Sequence, residues 1–178
     1  MDAVDAVVPS HAESVRVVES FDDFYRRERR GLVALAYALT GNADVADDLA
    51  HEALTAAGRR WDQVGAMELP IGWVRRVVAN RSTSFVRRRI VEAKALPRLV
   101  ARAERHTVPA MPSDSEHVWS AIRRLPRRQA QVITLKALFR LSLQEIADEL
   151  GISKESAQTH LARARTALIA VLDQEDAR

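Results

Sequence analysis

The stretch that most constrains the fold runs from Ser142 to Leu172, and it predicts two short helices joined by a tight turn. Ser142 and Glu145 have the spacing of a capping box, which begins a helix. Gly151 then stands where a helix ends in the left-handed conformation that glycine adopts at low cost. Ser153 can cap a second helix directly afterwards. This order of signals predicts a helix-turn-helix.

Both predicted helices have one apolar face at helical spacing. In the first helix this face is Leu143, Ile146, Ala147 and Leu150. The residues left for water are Gln144, Glu145, Asp148 and Glu149. In the second helix the stripe is Ala157, Leu161, Ala164, Leu168 and Leu172, and the outward residues are Lys154, Glu155, Gln158, Thr159, Ala162 and Arg163. Short polar groups beside a cation suit the DNA major groove, whereas packing as core alone is the alternative.

Composition limits the class of protein. The chain has 178 residues, of which 47% are hydrophobic, enough for one large domain or two small ones. It has no cysteine, which excludes disulfides, thiol catalysis and Cys-ligated metals. Residues 1–19 are aperiodic and acidic, so we expect a disordered tail and no secretory signal. The longest apolar run, 32–39, is too short to cross a bilayer, so we expect a cytoplasmic protein without membrane insertion.

Charge is distributed unevenly along the chain, although the formal net charge is only +3. Residues 1–74 contain thirteen Asp and Glu against seven Lys and Arg. Residues 75–111 contain ten Lys and Arg against two Asp and Glu. A basic middle segment of this kind favours contact with a nucleic-acid backbone.

Two helices are predicted between residues 20 and 61. Ser20 with Asp23 can cap the first, which runs to Gly41, and the second runs from about Asn42 to Trp61. The inward positions of the second helix are predicted to be Val45, Leu49, Ala53 and Ala56. Its polar side carries Asp44, Asp47, Asp48, His51 and Glu52. This cluster has metal-ligand spacing but no second ligand cluster elsewhere, so we expect no metal and keep two interpretations, a solvated face or a docking face for a basic partner.

A basic segment follows the loop after Trp61. Pro70 fits the first turn of a third helix, whose apolar side would be Trp73, Val74, Val77 and Val78, with Arg75 and Arg76 opposite. The polar residues 80–84 predict a break in the helix. A fourth helix would then turn Phe85 and Val86 inward and Arg87, Arg88 and Arg89 outward. A polar loop flanked by five arginines predicts a surface that binds a nucleic-acid backbone.

The remaining segments complete an all-α fold of two small helical domains joined by a flexible linker. Residues 92–112 contain three prolines and lose amphipathic order, which indicates the linker. Ser113 with Glu116 can cap the next helix, which buries Trp119 and Ile122, and Pro126 begins another. The predicted domains are therefore 20–91 and 113–178.

Both domains resemble the sigma-70 family of bacterial RNA polymerase, in its extracytoplasmic-function group. The C-terminal match is LPRRQAQVITLKALFRLSLQEIADELGISKESAQTHLARARTAL, which is similar to region 4 of the family. The N-terminal match runs from DDLAHEALTAAGRRWDQV to GWVRRVVANRSTSFVRRR and is similar to region 2. Together these stretches cover roughly residues 20–90 and 115–172.

The resemblance implies a factor that binds core RNA polymerase, recognises minus-35 and minus-10 promoter elements and promotes transcription initiation. It implies no catalytic residue and no cofactor in this chain. The implied partners are the β′ clamp and β flap of core polymerase, promoter DNA and an anti-sigma factor. The residues implied to dock on the clamp are Asp47, Asp48 and Glu52.

The resemblance also implies two sets of DNA-contacting residues. The minus-10 set is Arg75, Arg76, Asn80, Arg81, Ser82, Thr83, Ser84, Arg87 and Arg88. Within it, Asn80 offers the donor and acceptor that a pocket for a flipped base needs. The minus-35 set is Ser153, Lys154, Ser156, Gln158, Thr159 and Arg163.

Three positions depart from the family pattern. Gln158 and His160 stand where relatives often have Lys or Arg, which predicts weaker attraction to the DNA backbone. Arg140 stands where relatives commonly have Gly, which puts the geometry of that turn in question. Two other classes of protein remain open: a stand-alone helix-turn-helix regulator with a helical sensor domain, and a metal-dependent hydrolase using Asp47, Asp48, His51 and Glu52.

Overall fold

The computed structural model describes residues 19–95 and 116–176, and every regular element in these ranges is an α-helix. The N-terminal lobe consists of α1 (Phe21–Thr40), α2 (Ala43–Gly58), α3 (Trp61–Val64) and α4 (Pro70–Ala95). The C-terminal lobe consists of α5 (Glu116–Arg124), α6 (Arg127–Phe139), α7 (Leu143–Leu150) and α8 (Lys154–Asp176). The all-α prediction is confirmed. The predicted tail, most of the linker and the Ser113 cap lie outside the described residues.

The predicted helix boundaries rest on local hydrogen bonds. The Ser20 hydroxyl accepts a bond from the Asp23 backbone N–H at 3.2 Å, and Asn42 caps α2. Ser142 and Glu145 form a complete capping box at the start of α7. Gly151 ends α7 with a φ of 63°, in the left-handed region that favours glycine. The helix-turn-helix is therefore confirmed.

The N-terminal lobe packs α1 against α2 and α4. The buried face of α2 is Ala46, Ala50, Ala53, Leu54 and Ala57. Our predicted inward stripe was wrong except at Ala53, since Val45, Leu49 and Ala56 are only half-buried. The small alanine side chains let α2 approach the large side chains of α1 closely. Close packing therefore buries the alanine face of α2 and leaves the face with Val45 and Leu49 half-buried.

The predicted break at residues 80–84 was wrong, because α4 is continuous from Pro70 to Ala95. The Thr83 hydroxyl donates a hydrogen bond to the Ala79 carbonyl at 2.8 Å, four residues earlier, and so remains compatible with the helix. Ser82 is fully buried and Thr83 is nearly so. The predicted third and fourth helices are one helix, and its tertiary contacts outweigh the local preference of NRSTS for a loop.

The C-terminal lobe buries the predicted apolar residues of the helix-turn-helix except Leu143, which is half-buried, and Leu172, whose side chain the structure does not describe. Its core contains Trp119, Ile122, Val132, Leu135, Ile146, Ala147, Leu150, Ala157, Leu161 and Leu168. The backbone N–H of Ile152 donates to the Ala147 carbonyl at 3.0 Å and closes the turn between α7 and α8. This packing fixes the angle at which α8 is presented.

The two lobes are in direct contact. Helix α1 packs on α5 and α6, and α4 packs on α6 and α7, so that the buried apolar residues of both lobes form one cluster. Gly31 of α1 faces Phe139, and a Cβ added at Gly31 would lie 3.3 Å from its ring. Arg123 of α5 donates to the Ala38 carbonyl of α1 at 3.5 Å. The sequence analysis indicated two lobes and did not predict this contact.

Arg140 adopts a left-handed conformation, with φ 54° and ψ 25°, where it ends α6. Its Cβ strains this conformation by about 1 kcal/mol, and glycine would relieve the strain. We expect Arg140→Gly to raise the free energy of unfolding by about 1 kcal/mol, measured by urea denaturation.

The control is Arg165→Gly, which makes the same substitution at an exposed site inside α8. There glycine should lower the free energy of unfolding by about 1 kcal/mol. If the two variants shift stability in the same direction, Arg140 is not strained.

Candidate nucleic-acid interface

The first half of α8 presents a polar surface to solvent. Lys154, Glu155, Gln158, Thr159, Ala162 and Arg163 are all exposed, as the sequence predicted. Ser153 caps the helix by accepting from the Ser156 backbone N–H at 3.1 Å, and the Thr159 hydroxyl donates to the Glu155 carbonyl. The Ser153 and Ser156 side chains therefore serve the helix start, whereas Lys154, Gln158 and Arg163 project from it.

Glu149 does not face water, and that prediction was wrong. Its side chain is only 2% exposed, and Arg75 of α4 donates to it with an Nη1 to Oε1 distance of 2.8 Å. The Arg75 guanidinium also lies over the Phe139 ring, 4.2 Å from the centroid. A member of the predicted minus-10 set is thus held between α6 and α7 of the other lobe.

This ion pair is incompletely satisfied. Among the described residues, Arg75 Nε and Glu149 Oε2 are buried without a hydrogen-bond partner. Burial raises the pKa of Glu149 above its ordinary value and outweighs the opposing attraction of Arg75. Desolvation of two charges commonly cancels the attraction between them, so the pair adds little net stability to the contact.

A second polar contact surrounds Asn80. Its Oδ1 accepts from Arg127 Nη2 at 2.6 Å and from Gln131 Nε2 at 3.2 Å. Gln131 is fully buried in α6, and it also donates to the Ala79 carbonyl at 3.0 Å and to Thr83 Oγ1 at 3.1 Å. The amide predicted to hold a flipped base is therefore occupied by the C-terminal lobe.

Cationic side chains from both lobes meet beside this contact. The Arg76 guanidinium lies against the turn of the helix-turn-helix, since a Cβ added at Gly151 would be 2.9 Å from its Nη2. Burial, then the charges of Arg127 and Arg76, lower the pKa of Arg128. Burial, then Arg128 and Arg163, lower the pKa of His160. The cations of α6, α8 and α4 thus influence one another electrostatically.

The other predicted minus-10 residues divide into two groups. Arg81, Ser84, Arg87 and Arg88 are exposed along α4, and Arg81 pairs with Glu52. Ser82 and Thr83 are buried, so their prediction as exposed loop residues was wrong. The exposed arginines form a basic ridge on one helix in place of the predicted loop.

The acidic residues of α2 lie on the surface as predicted. Asp47 pairs with Arg29 at 2.5 Å, and Asp48 and Glu52 are exposed. His51 Nδ1 lies 3.3 Å from the Tyr25 hydroxyl, and its Nε2 lies 3.5 Å from Thr55 Oγ1. Within the described ranges, no group of three or more His, Asp or Glu side chains is placed to hold a metal ion.

Sequence reasoning missed the residues that join the lobes: Arg127, Gln131, Phe139 and Glu149. One available signal was Gln131, a polar residue four positions before buried Leu135 on the same face of α6. Another was glycine near or inside a helix, because Gly31 and Gly72 both leave room for the opposite lobe. A Cβ added at Gly72 would lie 3.1 Å from Glu149 Cγ.

Family comparisons match both lobes. The family model for Sigma-70 region 2 matches residues 24–90, and that for Sigma-70 region 4 matches residues 115–168. These are the modules of a transcription initiation factor. The chain belongs to the sigma-70 family of RNA polymerase sigma factors, in the extracytoplasmic-function group. A match in both lobes favours this class over a stand-alone regulator.

Several relatives are similar over most of the chain. It is 27% identical to the RNA polymerase sigma-E factor of Streptomyces avermitilis, over 89% of this chain and 88% of the relative. It is 27% identical to the ECF RNA polymerase sigma factor SigM of Mycobacterium tuberculosis, over 86% of this chain and 77% of the relative.

Two solved structures share the fold. The sigma factor RpoE of Bartonella quintana, in complex with the anti-sigma factor NepR, matches with a TM-score of 0.67 at 22% identity, over 86% of this chain and 96% of that chain. CnrH in complex with the cytosolic domain of CnrY matches with a TM-score of 0.60 at 23% identity, over 86% and 88%.

Among the described residues, none of the helices combines the length and the hydropathy that a membrane span needs.

The raised pKa of Glu149 predicts a pH dependence. Its carboxyl binds a proton more readily in the folded state, so its stabilising contribution is full below about pH 4.5 and is lost as pH rises through the folded pKa. The Glu149→Gln side chain resembles the protonated carboxyl, so this variant does not lose that stabilising contribution as pH rises. The free energy of unfolding of Glu149→Gln minus that of the parent should therefore increase from pH 4 to 7, by about 1.4 kcal/mol per unit of pKa shift.

Urea denaturation at each pH measures this difference. Asp148→Asn is the control, because it removes a neighbouring exposed carboxylate on the same helix. Parallel pH profiles for the parent and Glu149→Gln would show that the Glu149 pKa is not raised.

Proposed function

We propose that this sigma factor docks on core RNA polymerase through α2, places α8 on the minus-35 element and captures an unstacked minus-10 strand with α4. The observation that carries the proposal is the joint presence of an exposed polar recognition helix in one lobe and an arginine ridge in the other. The polymerase supplies the chemistry, and the sigma factor selects the site.

The proposed docking surface is the acidic face of Asp47, Asp48 and Glu52. These side chains lie about one helical turn apart or less on α2 and point to solvent, so they form a negative patch that complements a basic helix of the β′ clamp. Their pairs with Arg29 and Arg81 are half-exposed. Exposed pairs are worth at most about 1 kcal/mol, so a partner can replace them at low cost.

The proposed minus-35 reader is the N-terminal half of α8. Lys154, Gln158 and Arg163 are exposed on α8, and the buried side of this helix is fixed in the core by Ala157 and Leu161. A rigid helix with an amide and a guanidinium can make bidentate bonds to base edges in the major groove. Ser153, Ser156 and Thr159 are proposed to contact the adjacent backbone.

The proposed minus-10 reader is α4, with Arg75, Arg76, Asn80 and the exposed residues Arg81, Ser84, Arg87 and Arg88. The arginines neutralise the strand phosphates, and Asn80 supplies a donor and an acceptor to a flipped base. Holding the unstacked strand offsets the few kcal/mol that unstacking costs. Ser82 and Thr83 are both buried, so they support the packing of α4.

Regulation by an anti-sigma factor is also proposed, because relatives of the same fold are found in such complexes: RpoE with NepR, and CnrH with CnrY. An inhibitor of this kind would cover the docking or promoter surfaces. We also propose a cytoplasmic location, because core RNA polymerase is the proposed partner.

The docking surface can be tested with Asp48→Arg. We expect reversal of this charge to weaken binding to core polymerase at least tenfold, because like charges then face each other across the interface. Fluorescence anisotropy with labelled protein and purified core polymerase measures the affinity.

Asp62→Arg is the matched control, since it makes the same change at an exposed residue of α3. Equal losses for both variants would indicate a general effect of net charge and would contradict docking through α2.

The DNA contacts can be tested by in vitro transcription with core polymerase over a promoter library. We expect Asn80→Ala to reduce open-complex formation more than closed-complex binding. Arg163→Ala should weaken upstream binding by about 1 to 3 kcal/mol if it reads a base. Permanganate reactivity of the melted strand and gel shifts of the closed complex separate the two steps.

Arg26→Ala is the control, because it removes an exposed arginine of α1 outside both sets. Parental behaviour of both test variants would overturn the residue assignments. Absence of any site-selective initiation by the parent would overturn the proposed function itself.

A further inference from the structure

We infer that His160 couples the binding of α8 on duplex DNA to pH, because its ring is uncharged in the free protein and accepts a proton when DNA phosphates approach. The inference deepens the proposed function and rests on it, since it takes the exposed face of α8 to lie on a duplex. His160 is not among the residues proposed to contact the minus-35 element. Its role is to bind a proton together with the DNA backbone.

His160 lies at the edge of the exposed face of α8. It follows Gln158 and Thr159, which are exposed, and precedes Leu161, which is buried in the core. The residue itself is half-buried. Its Nδ1 is buried and has no hydrogen-bond partner within the described residues. The protein therefore packs against part of the ring, and the rest of the ring remains accessible to a ligand of α8.

The charged groups that act on His160 are cationic. Burial, then Arg128 of α6 and Arg163 on the next turn of α8, hold the pKa of His160 below its ordinary value. The pKa of Arg128 is itself lowered, by burial and then by the charges of Arg127 and Arg76. Each of these causes disfavours one more positive charge in the cluster. His160 is therefore neutral at pH 7 in the free protein.

The acidic side chains near α8 are held elsewhere. On α7 and α5, which pack on α8, four carboxylates have other partners: Glu145 with Ser142, Asp148 with Gln144, Glu149 with Arg75, and Glu116 with Arg123. On α8 itself, Glu155 is hydrogen-bonded at the helix start, and Asp173 is about 20 Å further along the axis. The other ionisable residues of α5 and α6 are bases: His117, Arg124, Lys136 and Arg140. The negative charge that a protonated His160 needs must come from a ligand.

Duplex DNA supplies that charge. It carries one negative charge per about 1.7 Å of its axis, so a helix in the major groove has phosphates on both sides. A negative charge within about 4 to 6 Å favours the protonated imidazole. The pKa of His160 is therefore higher in the complex than in the free protein.

This difference sets the direction of the pH dependence. Below the pKa of the free protein, His160 is charged both free and bound, and the affinity for the duplex is greatest. As pH rises through the higher pKa of the complex, the proton and its contribution to binding are lost. The affinity falls about tenfold for each pH unit that separates the two pKa values. Binding through α8 therefore strengthens as pH falls.

Nuclear magnetic resonance of the imidazole protons measures the pKa of His160 directly in the full-length chain. The chain has five histidines, and the signal of His160 is the one that disappears in His160→Arg. The probe is a duplex of about 20 base pairs and mixed sequence at about 50 mM salt, because contact with phosphates needs no promoter sequence. We expect a pKa below the ordinary histidine value of about 6.5 without DNA, and a rise of at least about 0.5 with it.

Fluorescence anisotropy of the labelled duplex measures the affinity across the same pH range, from about 5.5 to 8. The affinity of the parent should fall with rising pH at least about threefold more than that of His160→Gln, which cannot be protonated. His160→Arg is charged throughout, so its profile should match that of His160→Gln in slope, with tighter binding at pH 8. His51→Gln removes an exposed histidine of α2 and should keep the parental profile. Circular dichroism must show parental helicity in each variant.

A pKa of His160 that is the same with and without the duplex would overturn the inference. Parallel affinity profiles for the parent and a folded His160→Gln variant would also overturn it, because a purely structural role lowers the affinity equally at every pH. Both measurements use the free chain and a duplex without a promoter. Failure of the parent to initiate transcription at selected sites would instead count against the proposed function, even with the pH profile intact.

Discussion

The buried pair of Arg75 and Glu149 is the interaction on which the arrangement of this molecule depends. It joins a helix of the N-terminal lobe to the first helix of the helix-turn-helix, and Phe139 covers it. The pair does not hold the lobes together by its own strength, because burial of both charges costs about as much as their attraction provides. It specifies how the lobes meet, while Gln131, Phe139 and the apolar cluster supply the contact area.

The same side chains are therefore suited to two partners, of which the nucleic-acid strand is the proposed one. Arg75 and Asn80 have donors and acceptors that suit a nucleic-acid strand, and in this structure these groups bind carboxylate, guanidinium and amide groups of the other lobe. A surface that is saturated internally is protected from non-specific nucleic acid, which otherwise attracts an exposed arginine ridge. The proposed recognition face of α8 remains exposed, so only one of the two proposed promoter-binding surfaces is occupied by contacts within the chain.

Local rules predicted the helices well and the tertiary contacts poorly. Ser142, Glu145 and Gly151 determine the helix-turn-helix through bonds within a few residues, so the sequence reveals it directly. The break predicted near Asn80 failed because Thr83 bonds back to its own helix and is buried by α6. Glu149 was predicted to face water because its partner lies 74 residues away, and no local pattern reports such a distance.

A double-mutant cycle on Arg75 and Glu149 tests the central claim most directly. The free energy of unfolding would be measured by urea denaturation for Arg75→Ala, Glu149→Ala, the double variant and the parent. The contact between the lobes predicts that each single change is destabilising, because it leaves one buried charge unpaired, and that the double variant recovers about 1 to 3 kcal/mol relative to the sum. Additive effects within about 0.3 kcal/mol would show that the two residues do not meet in solution, and would contradict the account.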